Sequence, residues 1–205
     1  MSKPARLYVI AAPSGAGKTT LVRALVTNNP ELRFSISYTT RKKRRNEADG
    51  VDYLFVTKRE FERLRERGEL LESADVFDNL YGTSRAQVRE HLDNGRSVVL
   101  EIDWQGAQQV RESMPECVSI FIMPPSLDEL ERRLRNRRTD SPEVIARRLR
   151  DARADMAHWD EFDHVIINDD LDQAVADLEA ALGGEGTSTS TENVALRRAV
   201  SRIVT

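Results

Sequence analysis

Apolar residues occur along this chain in two kinds of short run, and the two kinds alternate. Leu7–Ala11, Phe34–Tyr38, Ser97–Ile102, Val118–Met123 and Val165–Asn168 are compact apolar runs bounded by turn-forming residues, the pattern of buried strands. Between them, apolar positions recur at helical spacing over Thr19–Thr27, Ser84–Asn94, Ala107–Met114, Leu127–Arg137, Glu143–His158 and Leu171–Leu182. Helix starts are written out as well. Thr57-Lys-Arg-Glu60 and Ser126-Leu-Asp-Glu129 read as capping boxes, and Ser141-Pro142 puts proline at a first helical position. Strands alternating with helices predict the α/β class, a parallel sheet flanked by helices. Ligands then bind at the carboxyl ends of the strands.

Three stretches break this rhythm. Between Thr39 and Thr83 the pattern gives short strands, Tyr53–Val56 and Leu70–Val76, around a helix over Lys58–Arg67, and predicts a small α+β insertion at the ligand edge. Glu131–Arg153 is dense in arginine, among them Arg132, Arg133, Arg135, Arg137, Arg138, Arg147 and Arg148. Such a run reads either as a helical lid over anionic ligands or as a solvated face laced with charge pairs. Gly183–Thr191, rich in Gly, Ser and Thr, reads as a flexible linker. Beyond it, Val194, Leu196, Val200 and Ile203 with Arg197, Arg198 and Arg202 leave a short amphipathic helix and disorder as open alternatives. The expected division is core over 1–36, insertion over 37–83, core over 84–130, lid over 131–156, core over 157–182 and a flexible tail over 183–205.

Composition narrows the function classes. A chain of 205 residues with 40% hydrophobic and 32% charged positions can bury one good core under a charged surface. Its net charge of −3 argues against general nucleic-acid binding. Cys117 is the single cysteine, so an intramolecular disulfide and a multi-cysteine zinc site are excluded. No apolar run has the length of a membrane span, and the run before Ala12 is short for a signal peptide. A cytoplasmic setting, with no membrane and no nucleic-acid partner, is the expectation. His91, His158 and His164 share no metal-like spacing and are read as structural.

The chemistry begins where the first strand ends. Ala12, Pro13, Ser14, Gly15, Ala16, Gly17, Lys18, Thr19 and Thr20 form a glycine-rich turn between a strand and a helix, the layout of a phosphate-binding P-loop. Consecutive backbone N–H groups and the positive end of the helix neutralise a polyphosphate there. Lys18 adds a mobile positive charge, and the Thr19 hydroxyl can ligate Mg²⁺. Ala12 stands where the strict pattern has glycine, a mild departure if its φ stays negative. This loop predicts nucleoside triphosphate binding and no more.

A phosphoryl-transfer enzyme needs a second anion site. Arg41-Lys-Lys-Arg-Arg45, followed by Glu47-Ala-Asp-Gly-Val-Asp-Tyr53, can clamp a phosphate monoester. A nucleic-acid patch is the alternative, disfavoured because the run lies inside an α/β pattern rather than in a tail. Glu72 on spacing alone reads as a solvated strand-end carboxylate, and Tyr53 and Tyr81 as half-buried strand residues. Glu101 and Asp103, two apart at the end of a strand, share one face.

Taken in order, Pro13–Thr19, Phe34–Arg41, Glu47–Tyr53, Glu72, Tyr81–Thr83, Glu101–Gly106, Pro124–Ser126 and Asn168–Asp170 resemble the guanylate kinase family of nucleoside monophosphate kinases over residues 6–182. The resemblance implies transfer of the γ-phosphoryl group of ATP to GMP, and to dGMP alongside it, with Mg²⁺. It implies that Arg41, Arg44, Tyr53 and Tyr81 hold the GMP phosphate. Ser37, Glu72, Thr83 and Asp103 would surround the guanine. Arg137 and Arg148 would meet the transferring group with Arg133 nearby, and Asn168 would lie near adenine. Glu101 is placed near Mg²⁺ through water. Guanine presents N1–H and N2–H₂ as adjacent donors, which a carboxylate accepts together. Adenine lacks the pair, and a buried carboxylate left unpaired discriminates by about 10⁴-fold or more.

Departures from the family pattern are Lys43 for proline and Asn46 for glycine in the phosphate clamp, Arg138 for glycine after Arg137, and Asp155 for glutamate. Asn46 is able to take a left-handed backbone in place of glycine, which would keep the turn. A related small-molecule phosphokinase would keep the loop without needing Ser37, Glu72, Thr83 and Asp103 together. A non-catalytic guanylate-kinase-like binding module would tend to lose Lys18-Thr19. Oligomeric state is left open.

Overall fold

β1 (Leu7–Ala11) is apolar at each position and buried at each position, the strand from which the rest is built. The computed structural model describes residues 4–76, 78–136 and 141–204. The chain divides into two compact units, one holding Pro30–Cys117 with the residues up to Val9, the other Ile10–Asn29 with Val118 onward.

In the first unit β2 (Arg33–Phe34) runs parallel to β7 (Val98–Glu101), with Arg33 beside Val98 and Phe34 beside Val99. The strand expected over Phe34–Tyr38 is broken in two. Ser35 Oγ and Ile36 N both donate to Gln87 Oε1, at 3.1 and 3.2 Å, so a side-chain amide takes over where a neighbouring strand would pair. Pairing resumes at β3 (Tyr38–Thr39), in a second sheet of order β4-β3-β6-β5, where β4 is Leu54–Phe55, β5 Leu70–Val76 and β6 Asn79–Ser84. β3 is parallel to β4 and antiparallel to β6, and β5 and β6 form an antiparallel hairpin that sets Glu72 opposite Thr83. β6 is a strand the sequence pattern did not announce, because Gly82 interrupts its side-chain alternation. A side chain there would be tight on three sides: a Cβ would lie 3.0 Å from Glu72 O, from Leu70 Cδ1 and from Phe61 Cζ.

Helices of this unit start at side-chain caps. α2 (Lys58–Glu66) has the full Thr57/Glu60 capping box and buries Phe61. α3 (Arg85–Asp93) starts at Ser84. α4 (Trp104–Ser113) starts three residues before the apolar pattern does, because Asp103 Oδ1 accepts from Gly106 N at 2.8 Å and fixes the first turn.

The second unit carries α1 (Lys18–Asn28), β8 (Val118–Met123), α5 (Leu127–Asn136), α6 (Pro142–Met156), β9 (His164–Ile167), α7 (Leu171–Gly183) and α8 (Val194–Val204). β8 and β9 pair in parallel from Ile120/His164 to Met123/Ile167. Phe121 and Phe162 pack with ring centroids 5.1 Å apart. Ser141 caps α6 with Pro142 in its first turn, as expected. Parallel strands flanked by helices make this an α/β fold.

Residues 183–193 depart from the expected flexible linker. Val165 N donates to Thr189 O at 2.8 Å, Thr191 N donates to Asp163 O at 3.0 Å, and Ser190 bridges His164 in antiparallel sense. Thr191 Oγ1 donates to Phe162 O at 2.7 Å, and Thr189 Oγ1 to Gly186 O at 3.0 Å. Threonine hydroxyls here satisfy backbone carbonyls inside the unit, a capacity that reading by composition overlooks. Of the two alternatives beyond it, the helix is the one formed. α8 buries Val200, and Arg197 lies 5.0 Å over the Trp159 ring.

Candidate active site

In the second unit the chain leaves β1 through a tight turn, with Ala16 N donating to Pro13 O at 3.2 Å. Gly15 and Gly17 both have φ of +95°, a conformation side chains rarely adopt. Space forbids a side chain at Gly17 as well, since a Cβ would lie 2.4 Å from Asn168 Nδ2. Asp78 alone among the described non-glycine residues has a positive φ, so Ala12 sits in ordinary backbone and its methyl is no obstacle. Gly17 is the N-cap of α1, which puts Lys18 at the first helical position and exposes Thr19 and Thr20. Backbone N–H groups at such a start are an anion site.

The loop is tied from behind. Asn168 is buried, and its Nδ2 donates to Ala16 O at 2.7 Å. Arg133 Nη1 donates to the same carbonyl at 3.4 Å and Nη2 to Asn168 O at 3.0 Å. Glu129 fixes Arg133 through a 2.8 Å bond to Nε and also takes both branches of Arg132. Those two guanidinium groups hold the Glu129 carboxyl down at about 2, well below the usual carboxylate range. Asn168, expected near adenine, thus has its amide on the loop itself. Arg148 is half-buried on α6, while Arg137 and Arg138 lie outside the described residues.

In the first unit the basic run becomes a built clamp. Arg41 donates to both Glu47 oxygens, Nη1 to Oε2 at 3.0 Å and Nη2 to Oε1 at 2.8 Å, and its Nε donates to Tyr81 Oη at 3.2 Å. Its guanidinium lies 5.2 Å over the Tyr53 ring. The Tyr53 and Tyr81 rings meet edge to face, 5.9 Å between centroids. Hydrogen bonding to Arg41 draws the Glu47 carboxyl below its usual range, and the same bond raises Arg41 further. Burial, then the charge of Glu101, pushes the Tyr53 phenol up. Arg44 is mostly exposed, and its backbone N donates to Glu47 Oε2 at 2.8 Å. Asn46 does not use the left-handed backbone open to asparagine. The turn closes without it, Glu47 N donating to Arg44 O at 3.2 Å.

Glu72 is not a solvated strand end. It is 3% exposed, and the fully buried Thr83 donates its hydroxyl to Oε1 at 2.6 Å. Ser37, half-buried, accepts from Leu54 N at 2.9 Å through its carbonyl. β7 ends at Glu101, and Asp103 lies beyond it as the N-cap of α4, so the pair is not simply one strand face.

A buried carboxylate with a hydroxyl bonded to it and an arginine–tyrosine clamp lie in the first unit, and a glycine loop at a helix start lies in the second. The family model for guanylate kinase matches residues 4–185. This chain belongs to the guanylate kinase family. A guanylate kinase of Alkalilimnicola ehrlichii is 54% identical over 177 residues, covering 86% of this chain and 87% of that protein. One of Pseudomonas fluorescens is 55% identical over 174 residues, covering 85% and 84%. The crystal structure of guanylate kinase from Anaplasma phagocytophilum superposes with a TM-score of 0.74 at 34% identity, covering 98% of this chain and 96% of that one.

Within the first unit the fold brings together Arg41, Tyr53 and Tyr81, and separately Glu72 and Thr83. Within the second it brings Gly17 and Ala16 against Asn168. Three residues of consequence were absent from the sequence-derived site: Glu47, Glu129 and Gln109, the last donating from Nε2 to Ser73 O at 2.8 Å and accepting from Ser73 N at 3.0 Å. Glu47 stood inside the matched clamp motif and was the most readable of them. Glu129 was read as a cap residue, and its Arg133 lies one helical turn away. Gln109 carries no sequence signal.

Proposed function

We propose that the loop over Ala12–Thr20 holds ATP and the clamp and second sheet hold GMP, for transfer of the γ-phosphoryl group to give ADP and GDP. The reaction is that of the guanylate kinase family, an ATP:GMP phosphotransfer. The observation that carries the base assignment is the buried Glu72 with Thr83 bonded to it. A carboxylate so placed accepts guanine N1–H and N2–H₂ and leaves adenine unmatched. Ser37 and Asp103 complete the base site, and Arg41, Arg44, Tyr53 and Tyr81 take the phosphate. Arg41 suits this task because Glu47 has already fixed its plane, so little side-chain entropy is lost on binding.

Lys18 and the loop N–H groups neutralise the β/γ-phosphates. Arg137 and Arg148 add charge at the transferring group, and residues 131–156 act as the lid, with 37–83 as the GMP insertion. Asn168 contributes to the ATP site through the loop it supports. The GMP phosphate is itself an anionic nucleophile, so the chain need supply positioning and charge rather than a general base. Mg²⁺ would be held from the loop, where the exposed Thr19 hydroxyl is a hard oxygen ligand. When bound it would neutralise charge on the β- and γ-oxygens. A cytoplasmic nucleotide pool is the setting this reading calls for. Among the described residues no helix is long and apolar enough to cross a membrane.

A coupled assay of ADP release with GMP, AMP, CMP, UMP and dTMP tests the reading. Turnover with GMP far above the other four is the expected result. Equal turnover with AMP, or ADP release independent of any monophosphate, contradicts it.

A further inference from the structure

α4 carries Gly106 and Gln109 three apart after its N-cap Asp103; Gly106 lies against Glu72, and Gln109 is bonded to Ser73. We propose that Gly106 is a positioning residue for guanine selectivity, with Gln109 as its partner: an absent side chain at one and a backbone clamp at the other set where the Glu72 carboxylate stands. The proposal rests on Glu72 being the group that reads guanine.

The geometry is specific. A Cβ on Gly106 would lie 2.6 Å from Glu72 Oε2 and 3.2 Å from its Cδ, and 3.1 Å from Asp103 Oδ1. No real Cβ contact is that short, so the carboxylate would have to move. It is not at liberty to move cheaply, being 3% exposed and bonded to Thr83 Oγ1 at 2.6 Å. Asp103 cannot yield easily either, because its Oδ1 caps α4 through Gly106 N at 2.8 Å. One turn further along, Gln109 Nε2 donates to Ser73 O at 2.8 Å and Ser73 N donates to Gln109 Oε1 at 3.0 Å. This paired bond holds the backbone next to Glu72 as another strand would. Gly106 has no positive φ that would demand glycine. Helix propensity alone favours alanine there. What requires glycine is the space the carboxylate occupies.

Gly106→Ala separates a structural from a positioning role, through the thermal midpoint, kcat and KM for GMP, and the GMP:AMP ratio of kcat/KM. The expected result is a folded protein with KM for GMP raised about tenfold, kcat at saturating GMP within about twofold, and the ratio lowered about tenfold. A folded variant with wild-type KM and ratio overturns the proposal. Glu72→Asp, which withdraws the carboxylate by one methylene, supplies a double-variant test. Because the two changes act on one contact, Glu72→Asp with Gly106→Ala should be no worse than Glu72→Asp alone. Independent, multiplying losses overturn it. Gln109→Ala should lower the ratio in the same direction, and it carries the test if Gly106→Ala does not fold; an unchanged ratio there overturns the proposal. Glu72→Gln keeps the two failures apart. Retained guanine preference in that variant defeats the base assignment itself. Lost preference there, with Gly106→Ala and Gln109→Ala both unchanged, defeats only the positioning proposal.

Discussion

Lys18 enters the site at the first position of α1, one residue after a glycine whose backbone no other side chain could adopt without meeting Asn168. On the proposed reading its charge serves the donor phosphates, so Lys18→Ala should lower kcat by about 10²–10³ while GMP affinity, measured by calorimetry, stays within about twofold. Near-normal turnover in that variant would remove the loop from the reaction. Glu47 contributes differently. It holds Arg41 by two bonds and Arg44 by its backbone. Glu47→Ala should raise KM for GMP about tenfold with the smaller effect on kcat, and a KM equal to wild type would show that Arg41 needs no such support. The glycine loop with Lys18 and Thr19, and the basic run that holds Arg41 and Arg44, declared themselves as candidates by spacing. The burial of Glu72 did not, since nothing in Leu71-Glu72-Ser73 says that the carboxylate is buried. That follows only when the hairpin sets Thr83 opposite it.

At the scale of elements, the caps made the boundaries legible. Thr57, Ser126 and Ser141 start helices where their hydroxyls accept from first-turn N–H groups. Legibility failed where a side chain from far along the chain replaced a strand, as Gln87 does at Ser35, and where threonines closed a segment that composition alone calls a linker. The closed segment changes what truncation should do. Removal of residues after Leu182 should leave kcat of the folded fraction near wild type and lower the thermal midpoint by on the order of 5–10 °C. An unchanged midpoint would mean that the Thr189 and Thr191 bonds contribute nothing. Acid should loosen the same segment. Burial lowers the His164 pKa from its ordinary 6.5, so the unfolded segment binds the proton more readily than the folded one. The contribution of neutral His164 is therefore fully present above about pH 6.5 and declines as pH falls below it toward the lowered value. Relative to the intrinsic exchange rate, which itself falls with pH, amide exchange at residues 184–193 should accelerate over that window. His164→Gln should abolish the extra acceleration, and its persistence in that variant would assign it elsewhere.

For the molecule as a whole, the proposed GMP residues fall in the first compact unit and the loop residues in the second. Each nucleotide should then stabilise its own unit. GMP alone at about 100 times its Kd should protect slow-exchanging amides within 30–117 by up to ~2.7 kcal/mol, with a smaller effect within 118–204. ATP alone should show the reverse order. Equal protection of both units by either nucleotide would show that they respond as one body. The α/β class was legible at this scale because alternation of runs is a property of the whole chain, whereas the division into two units is set by contacts no local pattern records. The closed segment after α7 has one more consequence, in the order of synthesis. β9 ends its sheet, and the backbone groups of its open side are met by Thr189, Ser190 and Thr191. Those residues leave the ribosome some twenty positions after β9, so for about one to a few seconds the nascent chain carries an unguarded strand edge next to Val165-Ile166-Ile167. Translation stalled inside α7 would release a polypeptide with both proposed nucleotide sites encoded and that edge bare, a species suited to stacking against its own kind and to capture by chaperones.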